Sequence, residues 1–321
     1  MTTYGEAPAQ KKNVVKKRRG FFADLFIRLI KEKPLGTFGL VVVFILLLVG
    51  IFANFLAPFG MNEIHLIDRL HPPNSTYILG TDQLGRDMLS RLIYGARVSV
   101  IIGLCATALS SSIAIFIGMT SGFLGGKVDL FVQRFIDVWM SMPPFLILMT
   151  VMSIIGNGTF QIIMVIGITG GIGQSRVIRS AVIGIKSNMY VQSSEAIGCS
   201  PVRIMMRHIL PNIMAPIIIG FTIGIGGAIM QEASLSFLGL GVPPGVPSWG
   251  SMLSNEGRQY MEAAPTLALW PGAALSIVVF GINMFGDGLR DLLDPRLRGG
   301  IGRYSLSEKK LKQLKESVTK D

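Results

Sequence analysis

Six separate stretches of the sequence are apolar and almost free of charge, and each is about long enough to cross a lipid bilayer. A transmembrane helix needs about 20 consecutive apolar residues, and a central Asp, Lys or Arg costs roughly 2.5–3.5 kcal/mol. The windows lie near Leu35–Ala57, Val98–Gly122, Phe135–Ile155, Phe160–Ile178, Ile213–Gln231 and Thr266–Phe285. Half of the residues are hydrophobic and 15% are charged, which excludes an ordinary soluble domain. The sequence therefore predicts an all-α, polytopic membrane protein with six transmembrane helices.

The distribution of charge predicts how these helices are oriented. Six spans place both chain ends on the same side of the membrane. The segments on the opposite side carry only five of the 30 Lys and Arg residues, together with seven acidic residues. Because cytoplasmic segments keep an excess of Lys and Arg, both chain ends are predicted to be cytoplasmic. This topology accounts for the net charge of +11 without a nucleic-acid-binding surface.

The first 33 residues are predicted to form a basic cytoplasmic tail followed by an interfacial helix. Residues 1–19 are polar and basic and cannot bury enough apolar surface to fold alone, which favours disorder. Phe21–Ile30 has apolar residues at helical spacing and suits a helix that lies in the membrane interface. The alternative is that this helix simply extends the first span, which would bring Asp24 and Arg28 into lipid.

A polar stretch, Met189–Asn212, separates two of the apolar windows, and we call it the foot. Its local chemistry predicts two short helices that meet at an elbow. Gly198 suits the position just after a helix, and Ser200 followed by Pro201 suits the start of the second one. Pro211 is expected to end that second helix, because proline lacks the backbone N–H and its ring clashes with a preceding carbonyl.

The second helix of the foot is predicted to be amphipathic. Its apolar residues fall at i, i+3, i+4 and i+7, and they are Val202, Met205, Met206 and Ile209. Arg203 and Arg207 stack on another face. This pattern suits contact with another protein, although an ordinary loop between two helices would also fit it.

Two longer segments on the side opposite the foot, roughly 58–97 and 233–265, are rich in turn-forming residues. They contain HPPNS, LGTDQLGRD and GVPPGVPSWG, and this density of Pro and Gly argues against long helices. Trp249, Tyr260 and Trp270 could mark the level of the lipid headgroups. The segments either dock an external partner or form passive caps over the helices.

Residue patterns in the chain predict neither catalysis nor a cofactor. A phosphate-binding GxxxxGK[ST] loop is missing, since the nearest approach, SGFLGGKV at 121–128, lacks the first glycine and the final hydroxyl residue. The histidines and cysteines lack metal-ligand spacing, and they are His65, His71, His208, Cys105 and Cys199. We therefore expect no catalytic, cofactor-binding or metal-binding residue in this chain.

Three acidic residues near the ends of spans need separate consideration. Asp137 and Asp287 could form the dyad of an intramembrane aspartyl protease, but each has an arginine three residues away that could serve as a structural partner. Glu232 lies at the outer end of the fifth window. It is either a gate or pathway residue, or an interface residue that reaches water.

Three glycine pairs with GxxxG spacing fall inside the predicted spans: Gly118/Gly122, Gly167/Gly171 and Gly220/Gly224. Such spacing lets two helix backbones approach closely. We expect these glycines to pack helices together rather than to contact a ligand.

Four stretches of the chain together resemble the permease subunits of bacterial ATP-binding-cassette importers for dipeptides, oligopeptides and nickel. They are ILGTDQLGRDMLSRLIYGARVSV at 78–100, YVQSSEAIGCSPVRIMMRHILPN at 190–212, ASLSFLGLGVPPGVPSWGSML at 233–253 and FGDGLRDLLDPRLRG at 285–299. The resemblance implies a type I importer permease fold with cytoplasmic coupling helices at 189–210. It divides the chain into a tail and interfacial helix at 1–33, a first transmembrane helix at 34–60, an extracytoplasmic segment at 61–97, a permease core at 98–299 and a cytoplasmic tail at 300–321.

In that family the stretch at 190–212 carries the coupling helices, which fit a groove on an ATPase subunit. The residues that the resemblance assigns to coupling are Tyr190, Gln192, Ser193, Ser194, Glu195, Gly198, Pro201, Arg203, Met205, Met206 and Arg207. One departure concerns the usual Glu-Ala-Ala triplet, which is Gln192-Ser193-Ser194 in this chain. A charge contact often made by that glutamate is therefore missing or replaced.

The resemblance also implies partners, location and cargo. The partners are a homologous second permease, two ATPases that bind ATP and Mg, an extracytoplasmic substrate-binding protein and membrane lipid, with no nucleic acid. The location is the bacterial cytoplasmic membrane. The cargo is expected to be di- or oligopeptides, and nickel or oligosaccharides are the alternative within the family. A stand-alone secondary transporter is a further alternative, but polar residues at mid-span are sparse.

Overall fold

The computed structural model describes residues 21–293, and every regular element in that range is helical. The helices are α1 Phe21–Glu32, α2 Pro34–Ile51, α3 Ala53–Leu56, α4 Met88–Leu124, α5 Gly126–Ser141, α6 Pro144–Ile155, α7 Thr159–Lys186, α8 Met189–Ala196, α9 Pro201–Ile204, α10 Met214–Phe237, α11 Trp249–Ser251 and α12 Thr266–Leu293. The two predicted tails, 1–19 and 300–321, lie outside the described residues. Five helical stretches are long and apolar enough to cross a membrane, and a sixth span results if α5 and α6 count as one.

The third predicted span, Phe135–Ile155, is not a single straight helix. Helices α5 and α6 are bent by 84° relative to each other. The bend lies at Met142 and Pro143, where the backbone is extended (Met142 φ −91°, ψ 139°) because two successive prolines follow. The sequence windows had missed this break, since hydropathy does not report the direction of a helix axis.

Helix α4 begins ten residues before the predicted start at Val98. Asp87 caps it, because its carboxylate accepts hydrogen bonds from the Ser90 backbone N–H (2.8 Å) and hydroxyl (2.7 Å). The helix has 37 residues, which correspond to about 56 Å and exceed the ~30 Å hydrocarbon core of a bilayer. The first turns of α4 therefore occupy part of the segment that was predicted to be an irregular loop.

Two of the three GxxxG motifs form the contact between α4 and α7. A Cβ atom added to Gly118 would lie 2.6 Å from the Ser175 carbonyl oxygen, and one added to Gly171 would lie 2.8 Å from the Ser110 carbonyl oxygen. Such distances leave no room for any side chain. The packing role predicted for these glycines is confirmed, whereas Gly220 and Gly224 contact side chains of other helices.

The N-terminal helix α1 is separated from α2 by a break at Lys33. The residue before a proline avoids the helical region, and Lys33 has φ −134° and ψ 78°. Its ammonium group lies 2.5 Å from the Asp291 carboxylate, which joins the break to the end of α12. Helix α1 is therefore a separate element and not an extension of the first span.

Candidate functional site

The first helix of the foot ends at Gly198 as the sequence predicts. Gly198 has φ +82°. Its N–H donates to the Glu195 carbonyl (3.0 Å), and the Cys199 N–H donates to the Ser194 carbonyl (3.1 Å). This pair of bonds is the Schellman arrangement, in which a left-handed glycine reverses the chain and satisfies the last carbonyls. The second helix begins at Pro201, but the Ser200 side chain makes no capping hydrogen bond.

The second helix of the foot does not end at Pro211, which corrects the prediction. Residues Met205–Ile209 form a π-helical turn and Leu210–Ile213 form a 3₁₀ turn, so that a continuous helical stretch runs from Pro201 to Phe237. The helix passes Pro211, which has no backbone N–H, because the hydrogen bonds span five residues in the π turn before it and three residues in the 3₁₀ turn that contains it. The foot is thus joined to α10 without a flexible link.

The π turn also changes which residues face inward. Ile204 and Ile209 are five residues apart and both are fully buried (1% and 0% exposed). Val202 and Met206 are 64% and 57% exposed, although the predicted stripe had placed them on one face with Ile209. The stripe was wrong because it assumed 3.6 residues per turn throughout.

The foot consequently has an apolar surface that the rest of the chain does not cover. Its exposed apolar residues are Met189, Tyr190, Ile197, Val202 and Met206. Beneath this surface, Val191 and Ile204 are buried against the ends of α4, α7 and α10, and Met205 packs partly against the same cluster. The foot is therefore firmly seated on the helices and apolar on its free side.

The polar foot residues are bound locally or exposed. The Ser193 and Ser194 hydroxyls donate to the Met189 and Tyr190 carbonyls (2.8 Å each), and the Gln192 side chain donates to the Ser187 carbonyl (3.3 Å). Glu195, Arg203 and Arg207 are exposed. The predicted coupling residues therefore lie together in the foot, and all but Ser194 and the half-buried Met205 are exposed.

The opposite end of the helices carries an ordered structure, residues 57–87 and 238–265, which we call the cap. Asn157, in the turn between α6 and α7, donates a hydrogen bond to the Gly239 carbonyl (2.9 Å). This contact places the start of α7 and the end of α10 together. The foot lies at the other ends of the same two helices, so the cap and the foot are at opposite ends of the bundle.

A buried carboxylate organises the first part of the cap. Asp82 is completely buried and accepts hydrogen bonds from the Leu84 and Arg86 backbone N–H groups (2.8 and 3.0 Å). The Arg86 guanidinium donates to it at 2.6 Å, and the Arg91 guanidinium lies 3.5 Å from it. A buried carboxylate is stable only when it is paired and hydrogen-bonded in this way.

The second part of the cap is joined to the first by aromatic side chains. Trp249 is 3% exposed, its indole N–H donates to the Leu92 carbonyl (3.2 Å), and its ring covers Gly95. Tyr260 lies under the Arg69 guanidinium, 5.9 Å from the ring centroid. Trp249 is therefore buried inside the protein, and its level relative to the lipid headgroups stays a prediction. A cavity of about 450 Å³ remains between the two parts, with Gln83, Arg86 and Arg91 on one side and Gly239 and residues 241–246 on the other.

The acidic residues considered for catalysis or gating lie in different surroundings. Asp137 pairs with Arg134 (3.6 Å) and with Arg176, whereas Asp287 is exposed on α12. Glu232 is 1% exposed and accepts a hydrogen bond from the Ser236 hydroxyl (2.7 Å). The expectation that Glu232 reaches water at the interface is wrong, and its role as a gate stays a prediction.

Sequence comparisons place the chain in a family of transport proteins. Residues 114–299 match the model of the binding-protein-dependent transport system inner membrane component, and residues 21–73 match that of the N-terminal TM domain of oligopeptide transport permease C. The oligopeptide transport system permease protein OppC of Bacillus subtilis is 36% identical over 89% of this chain and 93% of its own. The dipeptide transport system permease protein DppC of Haemophilus influenzae is 39% identical over 84% of this chain and 92% of its own.

A comparison of folds agrees with these relatives. A chain of the MetNI methionine ABC transporter, solved in inward-facing conformations, superimposes with a TM-score of 0.50 and 17% identity, over 64% of this chain and 98% of that one. The likeness confirms the importer permease fold that the sequence resemblance implies. The chain belongs to the family of inner-membrane permease components of binding-protein-dependent transport systems.

Proposed function

We propose that this permease forms one half of the translocation pathway of a peptide importer and that a homologous second permease forms the other half. The assignment of peptide as cargo is supported by the relatives, whose names describe transport of oligopeptides and dipeptides at 36–39% identity over most of the chain. The cargo is selected by a separate binding protein. Mass spectrometry of the ligand that copurifies with that protein would distinguish a peptide from nickel or an oligosaccharide.

The foot is the coupling element of this importer. The observation that supports this role is its exposed apolar surface on a rigid base: Val202 and Met206 are more than half exposed, while Ile204 and Ile209 beside them are buried. Such a surface is unfavourable in water and suits a groove on another protein. Since helical structure runs unbroken from Pro201 to Phe237, movement of the foot is transmitted directly to α10.

Two partner ATPases bind and hydrolyse ATP with Mg, and this chain contributes no catalytic group. ATP binding draws the ATPases together, each foot moves with its ATPase, and the spans change from an inward-open to an outward-open arrangement. The direction of this change follows from the differential affinity of ATP for the two states. The foot and both chain ends are cytoplasmic, and the cap is the extracytoplasmic surface on which the binding protein docks.

The coupling role is tested by placing charge on the exposed foot surface. Met206→Asp introduces a carboxylate where an apolar contact is expected, and burying it unpaired is unfavourable. We expect recovery of the ATPases with a tagged permease to fall at least about tenfold, with loss of solute-stimulated ATP hydrolysis. Met205→Asp is a poorer test because Met205 is already partly buried against the chain itself.

The matched control is Ile67→Asp, because Ile67 is fully exposed in the cap at the other end of the molecule. This variant is expected to bind its ATPases like the parent. Normal ATPase recovery and transport by Met206→Asp would rule out the foot as the coupling element.

Orientation is tested with a native thiol in the foot. Cys199 is partly exposed and is expected to react with a membrane-impermeant maleimide only in inside-out vesicles. A cysteine replacing the exposed Ser75 in the cap is expected to react in intact cells. Cys105 is exposed on the surface of α4, but because it lies in the middle of a predicted span, lipid should make its reaction slow from either side. Labelling of Cys199 in intact cells would reverse the topology.

A further inference from the structure

A groove of about 360 Å³ lies between three of the spanning helices. Helix α4 contributes Ala106, Thr107 and Ser110, α7 contributes Ile166, Gly170 and Gln174, and α10 contributes Gly220, Ile223, Gly224, Gly227, Ala228 and Gln231. None of these twelve residues is charged. The groove therefore combines small residues with neutral amide and hydroxyl groups at the depth of the membrane.

Glycines give this groove its shape. A Cβ atom at Gly220 would lie 2.0 Å from the Gln174 amide nitrogen, and one at Gly224 would lie 2.8 Å from the Thr107 methyl group. Gly227, by contrast, faces open space, since no atom lies within 4 Å of its added Cβ position. The third GxxxG motif thus holds two polar side chains against α10 instead of packing two helix backbones together.

One hydroxyl in the groove lacks a hydrogen-bond partner. Thr107 is 3% exposed, it lines the groove, and its Oγ1 atom makes no hydrogen bond within residues 21–293. A buried hydroxyl without a partner is unfavourable, and a lipid chain entering the groove could not supply one. The nearby Gln174 carbonyl oxygen lies 3.5 Å from the Ser110 hydroxyl, at the limit of a hydrogen bond. The polar groups of the groove therefore suit a polar occupant.

The groove also lies on the two helices that hold the foot. Helices α7 and α10 flank the foot, and α10 continues it without a break. At about 1.5 Å per residue, Gly220 lies about 21 Å along the helical stretch from Met206. Movement of the foot would therefore change the width of the groove.

We propose that this groove is the section of the substrate pathway contributed by this chain, and that it binds the backbone of a transported peptide. The proposal rests on the peptide-importer function given above. Amide side chains both donate and accept hydrogen bonds, as peptide groups do, so Gln174 and Gln231 complement a peptide backbone whatever its side chains. The lack of charge in the groove lets acidic, neutral and basic peptides pass alike.

The first experiment introduces a charge without changing the shape of the groove. Uptake of radiolabelled Ala-Ala-Ala, Ala-Asp-Ala and Ala-Lys-Ala is measured in cells that express the complete importer with Gln174→Glu. We expect uptake of Ala-Lys-Ala relative to Ala-Asp-Ala to rise at least about fivefold, because the new carboxylate acts in a poorly solvated site. The control is Gln161→Glu, the same change on another face of α7, where the ratio is expected to stay that of the parent.

The second experiment removes the unpartnered hydroxyl. Thr107→Val keeps the side-chain volume and removes an unsatisfied group, so the stability of the purified importer is expected to stay equal or rise. Uptake of Ala-Ala-Ala is expected to fall about three- to tenfold. The control is Thr120→Val on the same helix, since Thr120 is half-buried, does not line the groove and donates a hydrogen bond to the Phe116 carbonyl.

The outcomes separate this inference from the function on which it rests. If the parent importer takes up none of the tripeptides, the peptide-importer function fails and the groove proposal with it. If the parent transports all three but Gln174→Glu leaves their ratio unchanged and Thr107→Val transports normally, only the groove proposal fails.

Discussion

The cap and the foot lie at opposite ends of the same helices and are built in opposite ways. The cap buries its polar groups: Asp82 is completely enclosed, accepts three hydrogen bonds from Leu84 and Arg86 and forms an ion pair with Arg91. The foot instead leaves Met189 and Ile197 about 80% exposed and has no comparably buried ion pair within the described residues. The cap is thus stabilised by contacts within this chain, whereas the outer surface of the foot is apolar and uncovered, as the proposed contact with an ATPase requires.

The same contrast is seen at two glycines with similar backbone angles. Gly85 in the cap has φ +74°, and a Cβ atom there would lie 1.9 Å from the His65 carbonyl oxygen. Gly198 in the foot has φ +82°, yet no atom lies within 4 Å of the corresponding position. In the cap a glycine allows two backbone segments to cross, while in the foot it only reverses the chain. Rigidity in the cap therefore comes from packing, and in the foot from its attachment to α10.

The largest expected effect is on the cap. Asp82→Ala removes the carboxylate that pairs with Arg86 and Arg91, and breaking a buried ion pair typically costs about 3–5 kcal/mol. We expect the variant permease to be lost from the membrane fraction or to unfold at a much lower temperature in detergent. Glu63→Gln is the control, since Glu63 is an exposed cap residue that accepts a hydrogen bond from the Gly60 N–H. Equal melting of the Asp82→Ala variant and the parent would show that the cap does not depend on this network.

A second prediction compares the two glycines directly. Gly198→Ala is expected to destabilise the permease by about 1 kcal/mol, which is the conformational penalty of a left-handed residue alone. Gly85→Ala carries the same penalty plus a clash with the His65 carbonyl, so it should be several times more destabilising. Thermal unfolding of the purified variants checks the order. Gly198→Asn should recover part of the loss, because asparagine tolerates this backbone region, and a larger effect at Gly198 than at Gly85 would contradict the comparison.

Local chemistry explains why the foot could be predicted from the sequence. The turn at Gly198 and the start at Pro201 depend only on residues within a few positions, and both are found where they were expected. The packing glycines of α4 and α7 were likewise visible as a short pattern. The N-cap at Asp87 carried the same kind of signal and was missed, because the hydropathy window had already fixed the start of that span at Val98.

Features that depend on distant residues could not be predicted. The burial of Trp249 inside the cap depends on Leu92 and Gly95, which lie more than 150 residues away in the chain. The π turn at Met205–Ile209 replaces the ordinary helical period, so a stripe drawn at 3.6 residues per turn assigned Val202 to the wrong face. The groove at Thr107 and Gln174 combines three helices, each of which is unremarkable in its own sequence.

The smallest expected effect concerns the foot residue at which this chain departs from its family. Gln192→Glu loses the hydrogen bond to the Ser187 carbonyl (3.3 Å), but it places a negative charge near the N-terminus of α8, which is favourable by a similar few tenths of a kcal/mol. The melting temperature is therefore expected to stay within experimental error. If an ATPase presents the basic group that usually meets this glutamate, affinity should rise up to about fivefold, as for an exposed ion pair.

The measurement is the ATPase concentration needed to saturate the purified permease pair, made at low and at high salt. Gln192→Ala removes the amide without adding a charge, so it is the control for Gln192→Glu. It should weaken ATPase binding slightly, and equally at both salt concentrations. An increase for Gln192→Glu that disappears at high salt would identify a basic partner on the ATPase. Weaker binding by Gln192→Glu than by Gln192→Ala would mean that the ATPase surface beside Gln192 is acidic or apolar. The exposed side of the foot would then meet its partner through Val202 and Met206 alone, and the contrast with the polar interior of the cap would be sharper still.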